Sequence, residues 1–212
     1  MIDLLASLAD VVLHLDHHLA VWVEQYGPWI YAILFAVIFS ETGLVVAPIL
    51  PGDSLLFVAG AIAAVGGLDI HLLVTVLILA AFLGNMANYA IGRWLGQRFF
   101  TDRRSRWLNP DHLARAHRFY ERHGGKAVVI SRFLPIVRTY IPFVAGLGAM
   151  TPLRFTAFNL GGAVAWVASI CYAGYFFGNI PWIRDNLTLI ILAIIAVSLA
   201  PLAVAWLKGR RK

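Results

Sequence analysis

Charge is what this chain has least of: Asp, Glu, Lys and Arg make up 13% of its 212 residues, while 60% are hydrophobic. Soluble domains carry about 25% charged residues. That scarcity, with a mean hydropathy of +0.78, excludes an ordinary soluble domain and implies an integral membrane protein. Cysteine is almost missing: the single Cys171, inside an apolar run, allows neither a disulfide framework nor a thiolate metal cluster. The N-terminus has no basic region followed by a small-residue cleavage site, so it does not read as a signal peptide. Neither G-x-S-x-G nor H-E-x-x-H occurs. The net charge of +6 comes from positives beside apolar segments, as membrane topology demands, and gives no reason to expect nucleic acid.

Against that background the stretch from Glu41 to Gly60 stands out. Glu41 and Asp53 are the only charged residues between Pro28 and Leu68, and Pro48, Pro51 and Gly52 lie between them. An ionisable side chain at membrane depth is costly unless it faces protein or water, so it points to function. Helix breakers at that depth are tolerated only where they line a buried or wet cavity.

Parts of the chain repeat. Phe57-Val58-Ala59-Gly60 returns as Phe143-Val144-Ala145-Gly146, and Tyr89 with Gly92 returns as Tyr175 with Gly178, both at an offset of 86. Glu24-x-x-Gly27 parallels Glu121-x-x-Gly124 at an offset of 97. Matches of this kind suggest a duplication.

Residues 1–25 place Asp3, Ser7, Asp10, His14, His17, His18 and Glu24 at helical spacing, which predicts an amphipathic helix lying at the interface. The first repeat covers 26–92. Its apolar pieces Trp29–Phe39 and Ser54–Gly66 are each too short to span and are joined by a Pro-Gly tip, which predicts a re-entrant hairpin with Asp53 or Ser54 capping its second arm. Asp69 then caps a full span, Ile70 to Ile91, that ends at Gly92-Arg93 and carries Gly84, Asn85 and Asn88 as a small, polar packing stripe. The hydrophilic segment 93–126 holds nine positives against three acids and is therefore cytoplasmic. A second repeat, 127–178, interrupts its apolar run with Arg132, Pro135, Arg138 and Pro142, and Thr151-Pro152 starts a span of about Phe155 to Gly178. A loop, a last span from Leu187 to Leu207 and the basic end Lys208 to Lys212 complete 179–212, with the C-terminus inside. The two hairpins then enter from opposite sides. The expected fold is an all-α membrane protein built as an inverted repeat, an architecture of secondary transporters.

If the hairpins meet, Glu41 and Asp53 face Arg132 and Arg138. Opposite charges in a low-dielectric cavity lower each other's cost. An arginine fork suits a phosphate, and a partly desolvated carboxylate can take up a proton. Protonation of Glu41 or Asp53 would free Arg132 and Arg138 to hold an anionic headgroup, with Pro48, Pro51, Gly52, Pro135 and Pro142 shaping the site. A structural charge network, a proton-coupled antiporter of ions or small solutes, and an assembly factor without transport are the other readings of these residues. A lipid phosphatase would need a His nucleophile beside the arginines, and the seven His residues stand elsewhere, so no enzyme, cofactor or metal is expected.

At these residues the chain resembles the DedA family of bacterial membrane proteins, whose core is shared with the eukaryotic VTT lipid scramblases. The resemblance rests on E-x-G-x-x-x-x-P-x-x-P-G-D at 41–53, G-x-x-x-x-Y-x-x-G at 84–92, R-F-x-P-x-x-R-x-x-x-P-x-x-A-G at 132–146 and N-x-x-G-x-x-x-W at 159–166. It implies transport of a lipid phosphate, chiefly undecaprenyl phosphate but with a phospholipid as the other candidate, across the bacterial inner membrane at the expense of the proton motive force. The family's functional residues fall on Glu41, Asp53, Arg132 and Arg138. Packing motifs in the spans would serve an internal pseudo-dimer or a homo-oligomer equally.

Overall fold

Apolar runs broken by Gly, Pro and single polar residues fold here into helices, and no strand occurs among the described residues. The computed structural model describes residues 21, 25–44, 52–99, 118, 121–134 and 137–180. The helices are α1 (Trp29–Gly43), α2 (Gly52–Ala64), α3 (Ile70–Phe99), α4 (Lys126–Ser131), α5 (Tyr140–Val144), which runs into a π-helical turn at Ala145–Ala149, and α6 (Pro152–Gly178). Most of the expected N-terminal helix and of the basic segment, the last span, the basic tail, and Pro48, Pro51 and Pro135 lie outside the described residues.

Among the described residues, two helices are long and apolar enough to cross a membrane, over Ile70–Leu95 and Pro152–Gly178. At ~1.5 Å per residue each exceeds the ~30 Å hydrocarbon core. Large apolar side chains such as Leu72, Leu79, Leu83, Leu160 and Phe176 point outward along them, as lipid permits and water does not. The first span starts as its sequence dictates, because the Asp69 carboxylate accepts from Leu72 N at 2.8 Å and caps the helix. It does not stop at Gly92. The helix runs on to Phe99, because Gly92 lies against the Phe143 backbone: its missing side chain permits close packing rather than ending the helix.

Two further boundaries depart from expectation. The first arm continues to Gly43, so Glu41 sits in the last helical turn and not in the broken tip. The second begins at Gly52 with Asp53 in its first turn, where the exposed N–H groups favour a carboxylate. Pro142, expected as a breaker, occupies the third position of α5. A proline is tolerated in a first turn, where the backbone N–H has no helical partner to lose.

The chain divides into two compact units, one of 1–34, 51–76 and 167–212, the other of 35–50 and 77–166. In the first unit, a Cβ on Gly60 would run into the Cys171 carbonyl and Tyr175 N, and one on Gly174 into the Phe57 carbonyl. In the second unit, a Cβ on Gly146 would run into the Tyr89 carbonyl and Arg93 N, and one on Gly92 into the Phe143 carbonyl. The same reciprocal contact is thus made twice. Phe57 and Gly60 correspond to Phe143 and Gly146 at the offset seen in the sequence. Their partners Cys171, Gly174 and Tyr175 lie 82 residues after Tyr89, Gly92 and Arg93, one helical turn short of 86. The Tyr-x-x-Gly echo therefore marks similar helices but not the contacting residues. Gly27 and Gly124 match as well, with φ of 50° and 57°, a conformation in which only glycine is unstrained.

Candidate functional site

The site lies within the second unit and is organised by one face of α3. Ala81, Asn85 and Asn88 recur at a spacing of four and three, which aligns them along the helix. Asn88 is buried, and its Nδ2 donates to Thr42 O at the end of α1 (3.3 Å) and to Thr139 O in the turn before α5 (2.9 Å). A single carboxamide thereby clamps two breaks in the chain to the same point. Glu41 and Arg138, the neighbours of these two threonines, form an ion pair. The Glu41 side chain is fully buried and that of Arg138 is 12% exposed.

Gly84 permits the approach of α1. A Cβ there would collide with the Thr42 hydroxyl and crowd the Phe39 carbonyl. The Thr42 hydroxyl donates back to Ile38 O at 2.8 Å, so it is satisfied inside its own helix.

Arg132 follows α4 directly and is buried, with 3% of its surface exposed. Its Nη2 donates to Ala81 O at 3.2 Å and to Asn159 Oδ1 at 2.7 Å. Asn159, from α6, is oriented by donating its own Nδ2 to Phe82 O at 3.0 Å. Trp166, about two turns further along α6, offers its indole to both cations: the Arg132 and Arg138 guanidinium carbons lie 5.8 and 5.5 Å from the ring centroid, within cation–π range. Beneath this layer Tyr89 stacks on Phe155 at 4.3 Å and donates to Met150 O at 2.8 Å, fixing the end of the π-helical turn.

These side chains enclose a cavity of about 10 Å³ lined by Glu41, Thr42, Asn85, Arg132, Arg138, Thr139 and Trp166, room for roughly one water. Several buried polar atoms around it have no hydrogen-bond partner: Glu41 Oε2, Asn88 Oδ1, Thr139 Oγ1 and Arg132 Nε. Buried polar groups are normally satisfied, and each of these atoms can make a further hydrogen bond. The described residues contain no group of His, Cys, Asp and Glu that could hold a metal.

Of the residues expected from sequence, Glu41, Arg132 and Arg138 come together here. Asp53 is half-buried at the start of α2, in the first unit with Gly52. Pro142 is buried in the second unit but does not line the cavity. Sequence reasoning assigned Asn85 and Asn88 to packing and gave Asn159 and Trp166 no role. Three asparagines inside two otherwise apolar spans were the signal that could have found them.

Residues 50–176 match the VTT domain family, and the chain is 49% identical to protein DedA of Escherichia coli K12 over 99% of its own length and 96% of that protein's. The chain belongs to the DedA family. An uncharacterised membrane protein of Mycobacterium leprae is 39% identical over 90% of this chain and 86% of its own. The inner membrane protein YqjA of E. coli K12 is 39% identical over 72% and 69%. No solved structure matches the chain. As a DedA-family member with two apolar spans, it is a membrane protein.

Proposed function

We propose that this DedA-family protein carries a lipid phosphate, in the first place undecaprenyl phosphate, across a bacterial inner membrane without altering it chemically, and that protons drive the cycle through Glu41. The observation that carries this reading is Arg132. It is a buried guanidinium at a cavity, and among the described residues its hydrogen-bond acceptors are neutral. A buried cation without a counter-ion is unfavourable for the fold alone, and a phosphate would supply the missing charge with a matching fork.

The second arginine explains how binding would be controlled. Arg138 is held by Glu41, and the cavity is too small for a phosphate while that pair is closed. A proton on Glu41 removes the Coulombic hold on Arg138, which can then swing beneath Trp166 toward the headgroup. Asp53 remains in the proposal as a second proton carrier on the strength of the family motif. Two features support an inverted repeat with re-entrant hairpins. The glycine contacts recur in both units, and α1 and α2, with 15 and 13 residues, are each shorter than the ~30 Å core at ~1.5 Å per residue.

The test is translocation of undecaprenyl phosphate in proteoliposomes, read as accessibility to an impermeant phosphatase, with the mass of the remaining lipid measured. Wild type is expected to move the lipid unchanged. Arg132→Ala and Arg138→Ala, checked for monodisperse folding, should lose about tenfold or more, the scale of a lost charge-assisted hydrogen bond. Wild type that moves no lipid, or cleaves it, would sink the reading.

A further inference from the structure

The two arginines are held in different ways, and the difference points to a task for the asparagines around Arg132. Arg138 has a carboxylate. Arg132 has the Ala81 carbonyl, the Asn159 carboxamide and the face of Trp166. Gly162 leaves room for its stem, since a Cβ there would lie 3.1 Å from Arg132 Cδ and Nε. Buried arginines ordinarily meet an acid.

Asn159 cannot simply turn over, because its Nδ2 is occupied by Phe82 O and its Oδ1 is thereby aimed at Arg132. Asn85 donates to the same Oδ1 at 3.2 Å; with its amide turned, its own oxygen comes 2.9 Å from Arg132 Nη2. Both positions would geometrically accept an aspartate, which differs from asparagine by one group and would neutralise the cation. Both hold the neutral amide instead.

We propose that Asn159, assisted by Asn85, is a positioning residue that fixes Arg132 through neutral acceptors rather than an ion pair of its own, so that Arg132 receives a phosphate-bearing anion as a permanent subsite. This rests on the lipid phosphate reading above for the identity of the anion. The Glu41–Arg138 pair then regulates the second contact only. The Arg132 Nε, buried and without a partner, is a donor left for the same guest.

The experiment uses the full chain in nanodiscs and measures thermal midpoint and binding of two probes, dodecyl phosphate and inorganic phosphate. Asn159→Asp and Asn85→Asp should each fold, the former with a midpoint no lower than wild type, and bind dodecyl phosphate at least about tenfold more weakly. Asn159→Leu, which removes the acceptor without adding charge, should fall between wild type and Asn159→Asp. Aspartate variants that bind as wild type does overturn the inference, as does a leucine variant that loses as much as the aspartate one, since shape and not charge would then matter. Failure of both aspartate variants to fold also overturns it. If wild type takes inorganic phosphate but not dodecyl phosphate, and the aspartate variants lose it, the inference stands while the lipid reading falls. Wild type that takes neither probe overturns both.

Discussion

Glu41 and Arg138 are the pair on which substitution should be most informative, because truncation and neutralisation have different consequences there. Removing one partner of a buried ion pair strands the other, typically at ~3–5 kcal/mol. Glu41→Ala should therefore lower stability by about that much, measured as a loss of folded protein on heating. Glu41→Gln keeps the shape and a hydrogen-bond acceptor, so it should fold more nearly as wild type does. Asn88→Leu is the counterpart on α3. It removes the donor shared by the Thr42 and Thr139 carbonyls; Thr139, the N-cap of α5, keeps its helical bond, so the loss is one buried acceptor at the end of α1, destabilising by ~1–3 kcal/mol. It should also loosen Glu41 from Arg138, so a thermal-melt series and a lipid-binding assay should decline together.

Among the elements, the glycines divide into those that touch backbone and those that face open space. Gly146→Ala should cost at least the ~1–3 kcal/mol of an overpacked core, since the Tyr89 carbonyl occupies the place of the new methyl. Gly60→Ala should do the same in the other unit. Gly161, in the middle of α6, has nothing within 4 Å of an added Cβ, so Gly161→Ala should be neutral or stabilising by ~0.5–1 kcal/mol. Thermal midpoints of the three purified variants check this set. The sequence allowed the two described spans, the Asp69 cap and the Pro152 start to be read directly, because caps and apolar periodicity act locally. It misplaced the end of α3 and the end of α1, because there a partner helix decides whether a glycine or a carboxylate stops a helix or packs within it. The π-helical turn at Ala145–Ala149 had no local signal. Its closing bond, Met150 N to Ala145 O at 3.1 Å, depends on the long-range tether from Tyr89 to Met150 O.

At the scale of the whole molecule, the chain uses few charges, and among the described residues some of them line a cavity. Three of the four charged site residues foreseen from their rarity in apolar sequence meet there, but the amides that hold them were not legible as a site. Hydrogen-bond partners 27 to 77 residues apart leave no periodic trace, and an asparagine in a span reads equally as a packing residue. If protons drive the cycle through Glu41 as proposed, uptake of the headgroup should be favoured at lower pH, where the Glu41–Arg138 pair is loosened, and release at higher pH.

The most direct measurement is therefore the flux of undecaprenyl phosphate in proteoliposomes with and without an imposed pH gradient, for wild type and for Glu41→Gln. The account predicts a wild-type flux that rises with the gradient and a folded Glu41→Gln protein whose flux ignores it. A wild-type flux indifferent to the gradient, or a Glu41→Gln protein that still follows it, would contradict the claim that the Glu41–Arg138 pair controls the site.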